Sequence, residues 1–171
     1  MLKLLGALLI IGTTTWAGFE ASSHFTRRPK QVRIIKDSLQ ALDAEIMYSH
    51  TPLREAAKKI SLQMPEPAAR LYDLFSSKLS RTDVTVKSAW KDSLDEIWNT
   101  TDMKDEEYEI LIQFGESLGR HDRYTQQKQI LLTLTHLDRE ETEAREKQKK
   151  YEKIMKSVGI LSGMLFIILL F

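Results

Sequence analysis

The sequence predicts an all-α protein, a compact bundle of about six helices between an N-terminal and a C-terminal transmembrane helix. In the middle of the chain apolar residues recur at steps of three and four, which is the spacing of one helix face. No stretch alternates apolar and polar residues with β-branched enrichment, so no strand is predicted. Both chain ends are apolar and carry few charges, which is typical of membrane spans.

Residues 1–20 are predicted to form the N-terminal transmembrane helix. Up to Phe19 the only charge is Lys3, and a helix of this length extends about 28 Å, close to the thickness of the hydrocarbon core. Trp16 and Phe19 stand where an interfacial aromatic belt would lie. The alternative is a cleaved secretory signal, but the best local cleavage match, at residues 21–23, is poor.

Residues 154–171 are predicted to form the C-terminal transmembrane helix, into which a long last helix continues. This segment reaches about 27 Å if Lys156 extends its amine to the surface. The alternative is a buried core helix. Gly159 and Gly163 form a GxxxG pattern that permits close packing of membrane helices, and Gly12 could face it.

Three regions are predicted between the ends. A polar linker covers residues 21–30, the helical bundle covers 31–137, and a charged helical stalk covers 138–153. Pairs of opposite charge four residues apart, such as Glu141 and Arg145, support a solvated helix in the stalk. The positions predicted to face the core of the bundle are Ile35, Leu39, Leu42, Ile46, Leu53, Ala56, Ala57, Ile60, Met64, Leu71, Leu74, Phe75, Leu79, Trp90, Leu94, Ile97, Tyr108, Leu111, Ile112, Gly115, Leu118, Ile130, Leu131, Leu134 and Leu137.

Capping and breaking residues predict the helix boundaries. Thr51 is expected to be the N-cap of the second helix, with Pro52 at its first position. Thr101 or Asp102 is expected to cap the fifth helix, and Gly119 to end it. Asp122 is expected to start the last helix.

The charges predict a topology and exclude some functions. The net charge is +1, which gives no overall field to attract nucleic acid, and the absence of cysteine excludes disulfides and thiolate sites. Cations flank both apolar segments on the side of the middle region. The positive-inside rule therefore places residues 20–153 in the cytoplasm and both termini outside. The flanking cations are Arg27, Arg28, Lys30, Arg33, Lys36, Arg145, Lys147, Lys149, Lys150, Lys153 and Lys156.

No catalytic or cofactor motif occurs in the sequence. There is neither a phosphate-binding loop nor a nucleophile elbow, and the four histidines lack metal-ligand spacing. We therefore predict no catalytic residue, metal or cofactor. Two alternatives stay open: a membrane-bound hydrolase or metal-dependent enzyme using Glu45, His50 and Glu116 in one pocket, and a membrane-surface sensor using the two cationic clusters.

Two glycines surround an acid at the end of the fifth predicted helix. Gly115 would permit a close helix crossing, and Gly119 would permit a left-handed cap. The Glu116 side chain is expected to point away from the apolar face that contains Gly115. We interpret this segment as a tight corner between helices rather than a catalytic site.

Three stretches carry a family resemblance over essentially the whole chain: MLKLLGA with TTWAGFE, LDAEIMYSHTPLREA, and FGESLGRHDRYTQQKQILLTLTHL. The chain resembles the stage III sporulation protein AB family of endospore-forming bacteria. That family is similar to the cytoplasmic F domain of the inner-membrane platform protein of type II secretion and type IV pilus systems. Matching positions of the platform motifs are Pro52, Leu53, Ala56, Gly115, Glu116 and Gly119, whereas His50 replaces a glycine.

The resemblance implies a non-enzymatic scaffold in a secretion-like complex that endospore development requires. The protein would sit in the mother-cell membrane with its soluble domain in the cytoplasm. Its partners would be a separate cytoplasmic ATPase, other membrane subunits and the lipid bilayer, and a homo-oligomer is left open. The residues expected to contact partners are Arg54, Glu55, Glu116, Arg120 and Asp122.

Overall fold

The structure, a computed structural model, describes residues 26–49, 51–119 and 123–170. Over these residues α-helix is the only regular secondary structure and no strand is present, which confirms the predicted all-α class. The predicted transmembrane helix at residues 1–20 lies outside the described residues. The helices are α1 (26–47), α2 (Leu53–Gln63), α3 (Ala68–Lys78), α4 (Val86–Trp98), α5 (Asp105–Ser117) and α6 (Arg123–Leu170).

The chain divides into two compact units. One is Arg28–Thr142, and the other consists of Met1–Arg27 with Glu143–Phe171. The core described below belongs to the first unit. Within the described ranges, no helix has both the length and the apolar character needed to cross a membrane.

Trp90 of α4 lies at the centre of the core. The rings of Tyr72, Phe75 and Phe114 pack edge-on against it, with centroid distances of 5.8, 5.2 and 5.3 Å. This geometry suits aromatic quadrupoles. Trp90 Nε1 donates to the carbonyl of Leu111 at 2.8 Å, so the polar atom of the ring is satisfied although the residue is buried.

α5 crosses the Trp90 ring at Gly115. A Cβ built at this position would lie 2.2 Å from Trp90 Cδ1 and 2.9 Å from Cγ. The ring cannot retreat freely, because three other rings and the bond to α5 hold it. The absence of a side chain at residue 115 is therefore what lets α4 and α5 approach this closely.

Most of the predicted core positions are buried, but Leu131 is not. Its exposed fraction is 54%, and that of Leu132 is 52%. α6 turns Ile130, Thr133 and Leu137 inward instead. Each residue step rotates a helix by about 100°, so a neighbouring position can face the solvent. The buried residues that the stripes did not predict include Val32, Ala68, Tyr72, Ala89, Met103 and Phe114.

The predicted cap of α2 is wrong. The N-cap is Pro52, which makes no side-chain capping bond, and α2 begins at Leu53. Thr51 Oγ1 instead donates to Glu45 Oε2 at 2.7 Å, so this hydroxyl ties α2 to the end of α1.

The predicted cap of α5 is also wrong. The N-cap is Lys104, whose backbone N–H donates to Glu107 Oε2 at 2.7 Å. Thr101 Oγ1 donates to the carbonyl of Trp98, and the backbone N–H of Asp102 donates to Gln31 Oε1 at 2.7 Å. Thr101 thus stabilises the turn that follows α4, and Asp102 binds to α1.

The first helix includes residues that the sequence assigned to a linker. Residues 26–30 are helical, and Arg28 and Pro29 within them are buried. These five residues of the predicted linker at 21–30 therefore belong to α1, in which Arg28 already bonds to Glu107. The remaining residues of that linker lie outside the described ranges.

Replacing Gly115 with alanine should destabilise the bundle. The added methyl group would overlap the Trp90 ring, and overpacking of this kind costs about 1–3 kcal/mol despite the better helix propensity of alanine. The measurement is urea unfolding of the full chain, followed by tryptophan fluorescence. Gln113→Ala, at an exposed position of the same helix, is the control and should change stability by less than about 0.5 kcal/mol. Equal stability of G115A and wild type would show that the ring moves aside.

Candidate interaction site

A buried ion cluster joins α1 to α5 and α6. Arg28 Nε donates to Glu107 Oε1 at 2.8 Å, and Arg28 Nη2 lies 2.7 Å from that oxygen and 3.4 Å from Glu140 Oε2. The three side chains are 7%, 0% and 4% exposed. Charges so far from water are tolerated only when they are paired and hydrogen-bonded, so the three helices are held in one arrangement.

The second oxygen of each carboxylate also has a donor. Glu107 Oε2 accepts from the backbone N–H of Lys104 at 2.7 Å. Glu140 Oε1 accepts from Nη2 of Arg139 at 3.2 Å, and the Arg139 side chain is 76% exposed. The cluster therefore extends from the core of the Arg28–Thr142 unit to its surface with every carboxylate oxygen bonded.

A second ion cluster lies further along α1. Lys36 Nζ is 2.5 Å from Asp138 Oδ1 and 2.8 Å from Glu141 Oε2. Burial alone would lower the pKa of Lys36, but the hydrogen bonds to Asp138 and Glu141 outweigh it and raise that pKa above its usual value. Lys36 thus stays charged at physiological pH and links α1 to α6.

The contacts along α1 give its direction relative to α6. Arg28 contacts Glu140, Lys36 contacts Asp138, and Asp43 Oδ2 accepts from Gln127 Nε2 at 3.4 Å. Lys36 also contacts Glu141, but over the length of α1 the partner moves back along α6, from Glu140 at Arg28 to Gln127 at Asp43. The two helices are therefore antiparallel within the Arg28–Thr142 unit.

Arg28 and Lys36 correct the interpretation of the first cationic cluster. The sequence counted both among the cations flanking a membrane segment, but their charges are taken up inside the bundle. Arg27, Lys30 and Arg33 are the exposed members. One signal could have revealed the difference: Glu107 and Glu140 lie at helical spacing from the core positions Leu111 and Leu137, where an acid requires a buried cation.

In the predicted corner, the structure describes Gly115, Glu116 and Gly119. Arg120 and Asp122 lie outside the described residues. Glu116 Oε1 is 2.8 Å from Lys87 Nζ of α4, and both side chains are about half exposed. An exposed pair of this kind stabilises little. Gly119 has a φ of +73°, and its N–H donates to Gln126 Oε1 of α6 at 3.1 Å.

The other predicted contact residues lie at the start of α2. Arg54 and Glu55 are exposed, Leu53 is partly buried, and Ala56 is fully buried. The carbonyl of Arg54 accepts from Ser76 Oγ of α3 at 3.1 Å, which fixes this turn on its neighbour. α2 packs on α3 while α5 packs on α4, so the two sets of candidate residues belong to different helix pairs. Gly159 and Gly163 lie within α6.

Glu45 does not have the properties of a catalytic acid. Its Oε2 accepts from Lys59 Nζ at 2.9 Å and from Thr51 Oγ1 at 2.7 Å, and these two bonds lower the pKa of the Glu45 carboxyl. A general acid at neutral pH needs the opposite shift. His50 lies outside the described residues, and no group of histidine and acidic side chains able to hold a metal is found in the part of the chain that the structure describes.

Removing the charge of Arg28 should destabilise the protein strongly. Arg28→Met leaves the buried carboxylate of Glu107 without its cation and Glu140 with Arg139 alone, and breaking a buried pair from one side costs about 3–5 kcal/mol. Urea unfolding of the full chain would measure the loss. Arg27→Met, at the exposed neighbouring position, is the matched control and should be near neutral.

A second variant tests the cause of that loss. Adding Glu107→Gln to Arg28→Met removes one unpaired charge, so the double variant should be more stable than Arg28→Met alone. If the second substitution lowers stability further by its full single-variant amount, the two side chains are not coupled.

Comparison with known proteins identifies the family. The family model described as stage III sporulation protein AB matches residues 3–171. The stage III sporulation protein AB of Bacillus subtilis (strain 168) is 49% identical over 170 residues, which cover 99% of each chain. A solved structure of a stage III sporulation protein AB is 46% identical with a TM-score of 0.69, and the match covers 72% of this chain and 98% of that one. The chain therefore belongs to the stage III sporulation protein AB family.

Proposed function

We propose that this protein is a non-enzymatic scaffold, anchored in the mother-cell membrane at both chain ends. Its helical bundle faces the cytoplasm and binds a secretion-type ATPase and other membrane subunits of a secretion-like complex. The family membership supports a role in sporulation. The anchoring, the complex and the partners go beyond that membership and rest on the arguments below.

The antiparallel arrangement of α1 and α6 carries the proposal. Because Arg28 pairs with Glu140 while Asp43 pairs with Gln127, the first and last residues of the Arg28–Thr142 unit lie at the same end of that unit. The chain that precedes Arg28 and the chain that follows Thr142 therefore leave the bundle in the same place. Two apolar segments that leave together can enter one bilayer without any rearrangement of the bundle.

The exposed charges near this end support a cytoplasmic bundle. Arg27 and Lys30 are exposed near the start of α1, and Arg145, Lys149 and Lys150 are exposed on α6 beyond Thr142. Cations that flank membrane segments are retained on the cytoplasmic side. Without Arg28 and Lys36, fewer cations flank the N-terminal apolar segment, but the net charge of this flank is still positive.

Exposure supports the helix start of α2 as a partner surface. Arg54 and Glu55 are exposed on a turn that packing against α3 holds rigid. A rigid backbone that presents two opposite charges is suited to a polar interface, since little order has to be gained on binding. Glu116, the acid of the corner, is a separate exposed charge and lies next to Lys87.

The topology can be tested with single cysteines, because the chain contains none. Asp83→Cys lies in the loop before α4, where the Asp83 side chain is 75% exposed. A membrane-impermeant maleimide should label this variant only after the cells are permeabilised. A cysteine added after Phe171 is the control for the opposite side and should react in intact cells. Labelling of D83C in intact cells would contradict a cytoplasmic bundle.

The partner surface can be tested by charge reversal in the full chain. Arg54→Glu should weaken co-purification with the ATPase at least tenfold, since a like-charge contact in an interface costs several kcal/mol and about 1.4 kcal/mol is a tenfold change in affinity. Arg70→Glu is the matched control, because Arg70 is an exposed arginine of α3 outside the candidate surface. Equal loss in both variants would point to general charge attraction, and no loss in either would remove this surface from the interface.

A further inference from the structure

The part of α6 that belongs to the bundle has an apolar side turned to solvent. Tyr124, Leu131 and Leu132 are 78%, 54% and 52% exposed. With about 100° of rotation per residue, these three and three polar residues fall within about 100° of one another on the helix. We call this set the α6 outer face: Tyr124, Lys128, Leu131, Leu132, Thr135 and Arg139. Exposed apolar residues rimmed by polar ones are characteristic of interaction surfaces.

The charges on the α6 outer face are positive. Lys128 precedes the two leucines and Arg139 follows them, and both cations are exposed. The acids in this part of α6 are already paired with cations of the same chain, as described above. A complementary occupant is therefore uncharged at its centre and acidic on both sides of it.

α5 presents such a surface on its own exposed side. Five of its exposed residues fall within about 100° of one another on the helix, and four of them are acids. We call this set the α5 outer face: Asp105, Glu106, Glu109, Gln113 and Glu116. Gln113 is its uncharged centre, and the partly buried Ile112 lies at its edge.

The two outer faces point away from each other within one chain. α5 and α6 are neighbours, because Arg28 bonds to both Glu107 and Glu140. Leu131 lies about 180° around α6 from Glu140, and Glu109 lies about 160° around α5 from Glu107. The α6 outer face can therefore meet an α5 outer face only in another copy of the chain.

We propose that the α6 outer face binds the α5 outer face of a second copy of this chain, head to tail. This goes beyond the proposed function, because it assigns a contact between copies and needs neither the ATPase nor another subunit. A head-to-tail contact leaves one face of each kind open, so it repeats through further copies and closes into a ring when the rotation between neighbours permits.

The bonds within the bundle give the relative heights of the two faces. Arg28 holds Glu107 of α5 near the level of Glu140 of α6. Gly119, just after α5, donates its N–H to Gln126. α5 therefore runs antiparallel to α6, and each of its residues has a known level on α6. Copies related by a rotation axis parallel to α6 keep equal residues at equal heights, so the same levels apply between copies.

At these levels opposite charges meet on both sides of the apolar centre. Gln113 of one copy lies level with the leucine pair of the other. Glu109 comes near Arg139, and Glu116 comes near Lys128. The apolar residues are thus covered while the charges fix the register. Contact between the α6 outer faces of two copies, with the helices parallel, would instead place each of these cations against its own equivalent.

Disulfide cross-linking between two differently tagged full-length copies tests the contact, since the chain has no native cysteine. One copy carries Gln113→Cys and the other Leu132→Cys, and cells that produce both are treated with an oxidant. The control replaces Leu132→Cys by Leu62→Cys, because Leu62 of α2 is a leucine outside both outer faces and is 78% exposed. Disulfides form only where the Cα atoms approach within about 7 Å.

The mixed disulfide dimer should be several-fold more abundant with Leu132→Cys than with Leu62→Cys. Adding Glu109→Lys to both copies should lower its yield several-fold, because the new cation lies near Arg139 of the neighbouring copy. Glu66→Lys is the matched control, since Glu66 is an exposed acid outside both outer faces, and should leave the yield unchanged.

Three results would overturn the proposal. One is an equal yield of mixed dimer with Leu132→Cys and Leu62→Cys, or no mixed dimer with either when all the thiols react with maleimide after denaturation. Another is an equal effect of Glu109→Lys and Glu66→Lys on the yield. The third is a covalent dimer of the Leu132→Cys copy alone that exceeds the mixed dimer, since it would identify the α6 helix of a second copy as the occupant.

Discussion

The guanidinium of Arg28 sets the relation between three helices. It lies between the carboxylates of Glu107 and Glu140, both withdrawn from water. Apolar contacts tolerate some sliding between helices, whereas a buried hydrogen-bonded charge tolerates very little, because every lost bond leaves a charge in a medium of low dielectric constant. A lysine could not replace the planar fork that reaches both acids. Through this contact α1 and α6 acquire a fixed register, and the positions at which the chain enters and leaves the bundle follow from it.

The sequence patterns predicted the helices well where local spacing decided the outcome. Ile35, Leu39 and Leu42 are each at most 1% exposed, as their spacing required. The patterns failed where several choices were equally apolar: Ile130, Leu131 and Leu132 are consecutive, and only packing selects which of them turns inward. They also failed for Arg28, because a cation in a basic run gives no sign of a partner as distant in the chain as Glu140.

For the candidate contact residues, too, some properties could be predicted from the sequence and others could not. Their chemistry and the exposure of Arg54, Glu55 and Glu116 could be anticipated from sequence, but the partner cannot be derived from a single chain. The structure adds a distinction between the glycines and the acid of the corner. Gly115 is accounted for by the Trp90 ring and Gly119 by its positive φ, so both are explained by folding alone. Recognition at this corner would therefore have to rest on the charged side chains around them.

The contact between Gly115 and Trp90 has a consequence for how such chains diverge. Since the indole ring fills the space that a Cβ would need, neither position can drift independently. A relative could acquire a larger residue at position 115 only after the residue at position 90 had become smaller, and the intermediate with both groups small would contain a cavity beside Tyr72 and Phe75. Substitutions at positions 90 and 115 should accordingly co-vary among related sequences, because the two residues meet at one tight helix crossing.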